Sequence, residues 1–226
     1  MEATYLLVKS ILKPWLRVWF RWHVEGMENV PPRGPAIVAF NHIAYLDPFA
    51  TGFVIDESGR TPRFLAKSEL FEDWRIAGLL RGAGQIEVRR GTRDAPMALD
   101  NALAALARGE VVVVFPEGTV TTDPDLTPMK PKTGTVRLAL KSGAPLIPAA
   151  VWGTANIWPK GYAKRWWPPK QDICVRIGRP MHVSGDPDSR EAWDALGAGL
   201  MSKIGELVAS IRPAVPDRRR PKRRAA

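Results

Sequence analysis

Four short stretches carry side chains that could do chemistry. The first is Asn41-His42-Ile43-Ala44-Tyr45-Leu46-Asp47. An imidazole can take a proton near neutral pH, and a carboxylate on one ring nitrogen fixes the tautomer and leaves the other nitrogen free to accept. His42 and Asp47 are five apart, which on one continuous helix turns them ~140° out of alignment. Asp47-Pro48 resolves this. Asp suits an N-cap and Pro the first helical position, so a helix is predicted to start at Asp47. Residues 43–46 then form a loop that can return the carboxylate to the imidazole. The plainer alternative leaves Asp47 as a cap alone.

The second stretch is Phe115-Pro116-Glu117-Gly118-Thr119, at the end of a strand-like run. Glu117 could bind a substrate hydroxyl, neighbouring N–H groups could bind an anion, and Gly118 would let a ligand approach the backbone. A strand-ending turn is the plainer reading. The third is Gly84-Gln85-Ile86-Glu87-Val88-Arg89-Arg90-Gly91. Successive strand residues point to opposite faces, so one of Arg89 and Arg90 could fork onto phosphate while the other faces solvent. The fourth is Pro145-Leu146-Ile147-Pro148-Ala149-Ala150, whose two prolines suit an edge strand or a site-lining segment.

These stretches need a frame. Apolar strand candidates fall at 35–40, 63–66, 85–89, 111–115, 145–152 and 171–177, and Val111–Phe115 (VVVVF) is the clearest of them. Helical spacing marks 48–55, 69–80, 95–107, 133–142 and 190–211. Alternation of this kind predicts an α/β fold, a mostly parallel central sheet flanked by helices, with ligands gathering beyond the carboxyl ends of the strands. Residues 158–170 read as an irregular loop holding Trp158, Trp166 and Trp167.

Charge is concentrated at the two ends of the 226 residues. Residues 1–22 carry Lys9, Lys13, Arg17 and Arg21 against Glu2, and residues 217–226 carry six cations against Asp217, so these segments hold +8 of the net +10. The basic ends point to an anionic partner, membrane surface or nucleic acid. In the first segment the cations recur every four residues among Leu6, Leu7, Ile11, Leu12, Trp15, Leu16, Trp19, Phe20 and Trp22. That pattern predicts an amphipathic membrane-surface helix with a basic stripe, bent or divided at Pro14. A terminal helix packed on its own domain is the alternative. No export signal is read there, because a charge interrupts every apolar run. The longest stretch without Asp, Glu, Lys or Arg, 142–159, is punctuated by glycine and proline and is not read as a membrane span. One cysteine, Cys174, allows no disulfide framework within the chain and fits a reducing compartment. The three histidines show no metal-ligand spacing, and no metal or resident cofactor is expected.

In this order and spacing, the four stretches resemble the 1-acyl-sn-glycerol-3-phosphate acyltransferase family of glycerolipid acyltransferases. The resemblance begins at Val24-Glu25-Gly26-Met27-Glu28-Asn29 and runs to about Gly153. It implies that His42 is the general base and Asp47 its orienting partner. It places Arg90 at a phosphate-binding position, Glu117, Gly118 and Thr119 in an acceptor-binding motif, and Pro148 in a motif associated with the acyl donor. Lys132 and Gly134 match the basic residue and glycine that usually follow the third motif. Two departures stand out: Val120 where the family commonly has Arg, and Arg89 where it often has an acidic residue or Asn. Arg89 or Lys132 could replace the missing charge, or the acceptor could differ.

The reaction so implied moves an acyl group from acyl-CoA or acyl carrier protein to the hydroxyl of a lysophosphatidate-like lipid. The chain has no Gly-x-Ser-x-Gly elbow, so direct transfer without an acyl-enzyme is expected. Expected partners are an anionic membrane surface and a lysophospholipid acceptor, with no nucleic acid, at the cytoplasmic face of the membrane. The expected division is a membrane-associating segment 1–22, an α/β domain 23–212 and a disordered basic tail 213–226. Other readings are a different lyso-lipid or glycerol-phosphate acceptor, and a non-catalytic protein binding anionic lipid or nucleic acid.

Overall fold

Short apolar runs separated by amphipathic stretches fold as alternating strands and helices. The computed structural model describes residues 3–88 and 95–219. In chain order these hold α1 (Ala3–Trp19), β1 (Phe20–Glu25), β2 (Ala36–Phe40), α2 (Asp47–Glu57), β3 (Pro62–Lys67), α3 (Ser68–Glu72) and α4 (Trp74–Gly82). Then follow β4 (Ile86–Val88), α5 (Ala95–Ala107), β5 (Val111–Val114), α6 (Thr133–Ser142), β6 (Leu146–Trp152), β7 (Gln171–Ile177) and α7 (Arg190–Ile211). The strands form one sheet in the order β1-β7-β6-β2-β5-β3-β4. Every neighbouring pair is parallel except β6 and β7. The α/β architecture is the one the alternation predicts.

The central strands are apolar at consecutive positions because both sheet faces are covered. β2 sends Ile37 and Ala39 into a core shared with Leu106 of α5, Leu138 of α6 and Leu200 of α7. It sends Ala36, Val38 and Phe40 to the other face, against Leu16 of α1 and Ala50 and Val54 of α2. β2, β5 and β6 run parallel, with Ala39 beside Val114 and Phe40 beside Ala149, so their carboxyl ends open onto one edge.

Five sequence expectations are corrected. β6 lies inside the sheet, between β2 and β7, despite Pro148. The proline is accommodated because regular pairing with β7 starts one residue later, at Ala149 opposite Ile177, and the Pro148 carbonyl still accepts Gly178 N–H at 2.8 Å. The helix expected over 69–80 is two helices, parted at Asp73. Residues 20–25 are a strand pairing with β7 from Phe20 opposite Gln171 to Glu25 opposite Arg176, so a boundary at 22/23 would cut a strand of the sheet. The apolar spacing of α1 runs on into this segment, which hid the change of period. α1 itself continues through Pro14 as one helix. Finally, residues 213–219 are held on the domain: Trp152 Nε1 donates to Val215 O at 2.8 Å and Asn156 Nδ2 to Pro216 O at 2.9 Å.

The orientation of α1 also departs from expectation. Tyr5, Leu12, Lys13 and Leu16 face inward, while Leu6, Leu7, Ile11, Trp15 and Val18 are exposed. The basic stripe thus meets the end of α2. Lys9 pairs with Asp56 at 2.7 Å, Lys13 bridges Asp56 and Glu57 at 2.5 and 2.6 Å, Arg17 pairs with Glu57, and Tyr5 OH donates to Asp56 at 2.7 Å. Burial alone would raise both carboxyls, but the cations and Tyr5 hold Asp56 below its usual range, and Lys13 and Arg17 do the same for Glu57. Among the described residues no helix is long and apolar enough to cross a membrane.

Candidate active site

Phe40 ends β2, and the chain must then turn without losing its backbone pairing. Asn41 manages this from a fully buried position: its side chain donates to Val151 O at 3.0 Å and accepts from Val151 N at 2.8 Å, replacing one more step of the β2–β6 ladder. His42 follows at the open edge, its side chain 14% exposed. Its N–H donates to Glu117 Oε1 at 2.7 Å and its C=O accepts Thr121 N–H at 2.7 Å, so both backbone groups are fastened to the loop after β5. The imidazole stacks on Phe115, centroids 4.2 Å apart.

Asp47 is fully buried and sends its carboxylate back along the loop. Oδ2 accepts from His42 Nδ1 at 2.9 Å, Ile43 N–H at 2.6 Å and Ala44 N–H at 2.8 Å. α2 does begin at Asp47 with proline in its first turn, as the sequence predicts, but the carboxylate does not cap it; the cap position is Leu46, with no side-chain bond. The capping capacity is spent on the loop because two loop N–H groups and the imidazole converge on one oxygen. With Nδ1–H donating to a carboxylate, the tautomer is set and Nε2 carries the lone pair. A bare nitrogen on a partly reachable ring can take a proton from a substrate hydroxyl.

The other carboxylate oxygen of Asp47 reveals a residue the sequence reading missed. Thr154 Oγ1 donates to Oδ1 at 2.6 Å, and both residues are fully buried. Thr154 opens a single 3-10 turn after Gly153, whose φ is +93°; a Cβ there would lie 2.3 Å from Asp172 O, so only glycine lets the turn pass β7 so closely. Its one signal in the sequence was its position just past the fourth stretch, at a strand's carboxyl end.

Glu117 is 1% exposed and both of its oxygens are engaged: Oε1 by His42 N–H and Oε2 by Met129 N–H at 2.9 Å. Burial pushes its carboxyl up, against the pull of the Met129 and His42 N–H donors. In this arrangement Glu117 binds backbone, and it joins the histidine loop to the loop after β5. Gly118, with φ +73°, closes the turn by donating to Phe115 O at 2.9 Å, and Thr119 is exposed beside it. Lys132 N–H donates to Pro116 O at 2.8 Å, which brings this exposed lysine next to the same turn at the start of α6. Val120 is buried, and Lys160 Nζ reaches its carbonyl at 3.3 Å, a cation at the departure position that the sequence reading did not single out. Pro148 is buried four residues before the end of β6. The structure therefore gathers His42, Asp47, Glu117, Gly118, Thr119 and Lys132 at one edge. Arg89 and Arg90 lie outside the described residues.

Comparison with known proteins gives the family to which the chain belongs. Residues 21–152 match the model of a family described as acyltransferase. The chain is 33% identical over 169 residues to a 1-acyl-sn-glycerol-3-phosphate acyltransferase of Borreliella burgdorferi, covering 70% of this chain and 62% of that protein. It is 29% identical over 192 residues to the protein of that name from Bacillus subtilis, covering 81% and 86%. The crystal structure of the 1-acyl-sn-glycerophosphate acyltransferase PlsC from Thermotoga maritima superposes with a TM-score of 0.70 at 26% identity, covering 95% of this chain and 81% of that one. The aligned region spans less than two thirds of several curated relatives, among them 44% of a chloroplastic protein of Brassica napus. With more than half of its length inside the family's span, and His42, Asp47 and Glu117 within that half, the chain belongs to the acyltransferase family.

Proposed function

We propose that the chain transfers a fatty acyl group from an acyl thioester, acyl-CoA or acyl carrier protein, to the free hydroxyl of a lysophosphatidate-like glycerolipid. The observation that carries this reading is the His42–Asp47 pair: a 2.9 Å contact at Nδ1 that leaves Nε2 for substrate, in a chain whose relatives from Borreliella burgdorferi and Bacillus subtilis bear that activity in their names. Nε2 takes the hydroxyl proton as the oxygen attacks the thioester carbonyl, and Asp47 stabilises the imidazolium. The intermediate collapses by expelling the thiolate, which takes that proton from His42 and leaves as the thiol. Lys132, Thr119 and Lys160, held at the turn after β5, are proposed to meet the acceptor phosphate, with Arg89 and Arg90 proposed beside them from the sequence. Pro148 is proposed on the donor side.

The reaction is proposed at a membrane surface on the cytoplasmic side. The support is the exposed apolar ridge of α1, with Leu7 62%, Ile11 68% and Val18 65% exposed, beside Trp167 at 73%. Apolar side chains and tryptophan at that density suit the headgroup boundary.

The test is purified protein with acyl-CoA, and separately with acyl carrier protein, against a panel of lyso-acceptors read by mass spectrometry. Lysophosphatidate should gain the chain, and His42→Ala should cut the rate by about 10²- to 10⁴-fold. Turnover that survives His42→Ala, or a stoichiometric acyl-enzyme, would refute the mechanism. Acylation of a different acceptor alone would refute the assigned substrate.

A further inference from the structure

We infer that a cation-lined cavity beside the tryptophan loop binds the phosphate group of an anionic lipid. The cavity holds about 210 Å3 and is lined by Asn156, Ala163, Lys164, Arg165 and Arg218. Its three cations come from segments more than 50 residues apart, and the backbone is fixed where it delivers two of them. Asn156 clasps the later segment, its Oδ1 accepting Arg218 N–H at 2.6 Å while its Nδ2 donates to Pro216 O. Arg165 N–H donates to Ile157 O at 2.8 Å, and Arg165 O accepts Gln171 Nε2 at 2.7 Å. Both guanidinium-bearing residues are thus tied to consecutive positions, 156 and 157. Lys164 places its ammonium 4.5 Å above the Trp158 ring.

Most of the surface cations described above have carboxylate partners. Among the described residues none pairs with Lys164, Arg165 or Arg218, and the adjacent carboxylate, Asp217, is taken by Arg219. Like charges brought together without a counter-charge repel, and an anion between them relieves the repulsion. Guanidinium groups fork onto phosphate oxygens, which makes phosphate the fitting anion.

A phosphate group could come from a lipid headgroup or from a soluble phosphate ester such as coenzyme A. Trp158 favours the lipid. Its ring lies 5.7 Å from Trp166, which lies 5.9 Å from Trp15 of α1, so an aromatic row leads from the cavity to the exposed ridge. This choice of source rests on the membrane-facing reading above.

The experiment measures binding, so it stands apart from turnover. The full chain is sedimented with vesicles of phosphatidylcholine, with and without phosphatidylglycerol, and titrated calorimetrically with free coenzyme A. Arg165→Gln/Arg218→Gln is compared with Arg33→Gln/Arg179→Gln, which removes the same charge from exposed positions at the opposite edge of the sheet. At roughly fivefold per basic residue near an anionic surface, the cavity pair should lose about 30-fold in preference for anionic vesicles. The control pair should change it by less than about twofold, being screened by distance. Lys164→Glu, which leaves the backbone ties alone, should lower the preference in the same sense, with unchanged thermal melting. Retained preference in the cavity variants, or equal loss in the control, would overturn the lipid assignment. Weakened coenzyme A binding with intact vesicle preference would overturn it in favour of the soluble ester, and no change in either arm would remove the site. Should the wild type bind no vesicles at all, the membrane reading fails and the coenzyme A arm still decides the cavity.

Discussion

Thr154 Oγ1 donates to Asp47 Oδ1 at 2.6 Å across 107 residues of sequence, and this bond completes the set of donors around the carboxylate that orients His42. Removing it frees one side of a buried carboxylate whose other oxygen already serves three donors. Thr154→Val should lower kcat by about 10- to 100-fold with KM within about twofold, if the bond positions His42 as the proposed base and touches no substrate. Thr154→Ser, which keeps the hydroxyl, should recover most of the rate. Equal damage in the two variants would reduce Thr154 to packing.

Glu117 offers a sharper choice between two roles. If it accepts hydrogen bonds only from His42 and Met129, Glu117→Gln sets an amide NH2 against one of those N–H groups and breaks the join between the loops. The cost of the disrupted buried bond is about 1–3 kcal/mol, so melting temperature and kcat should fall together. A Glu117 that holds the acceptor hydroxyl would behave otherwise, raising KM for the acceptor with little change in melting. Measuring both quantities on one variant separates the roles.

What could be read in advance depended on how local the signal was. The β2 and β5 strands and the helices 95–107, 133–142 and 190–211 were legible because period and composition are properties of a few adjacent residues. The return of Asp47 to His42 was legible for the same reason: Pro48 forces the helix start and leaves only a short loop. Thr154 was not, since its partner lies on another crossover and its place just past the fourth stretch says nothing of a bond to Asp47. The direction of the α1 stripe was not legible either. Lys9, Lys13 and Arg17 fit lipid phosphate and a protein carboxylate equally well, and the choice was made by Asp56 and Glu57 at the end of a different helix. Pro148 points to an edge or a site-lining segment because it lacks a donor, yet the end of one antiparallel ladder is enough to accommodate it inside the sheet.

Those carboxylates make the docking of α1 sensitive to acid. Both are held below their ordinary values of 3.8 and 4.5 in the folded protein. Groups depressed in this way stabilise the fold above their unfolded values and lose that contribution as pH falls through the lower, folded ones. Docking should therefore be complete above about pH 4.5 and weaken only below it. Tryptophan fluorescence of Trp15, Trp19 and Trp22 should report this before the far-ultraviolet signal of the domain changes. Asp56→Asn should weaken docking at neutral pH, by about 1–3 kcal/mol for a buried partner removed from Lys9, Lys13 and Tyr5.

With the cations turned inward, the proposed attachment to a bilayer would fall chiefly to the apolar ridge of α1. Ile11 and Val18 are 68% and 65% exposed, so glutamate at either position disturbs no packing in the fold. Burying a side chain of that size in an apolar phase contributes about 1.5–3 kcal/mol. Ile11→Glu/Val18→Glu should thus lower vesicle partitioning by well over about tenfold with melting unchanged. Lys9→Gln/Lys13→Gln should do the reverse, loosening α1 from α2 while leaving partitioning nearly intact, because those ammonium groups already spend their charge on Asp56 and Glu57. Sedimentation with neutral vesicles reads the apolar contribution alone. Partitioning that follows the lysines and ignores Ile11 and Val18 would mean that α1 leaves α2 at the membrane and presents its basic face.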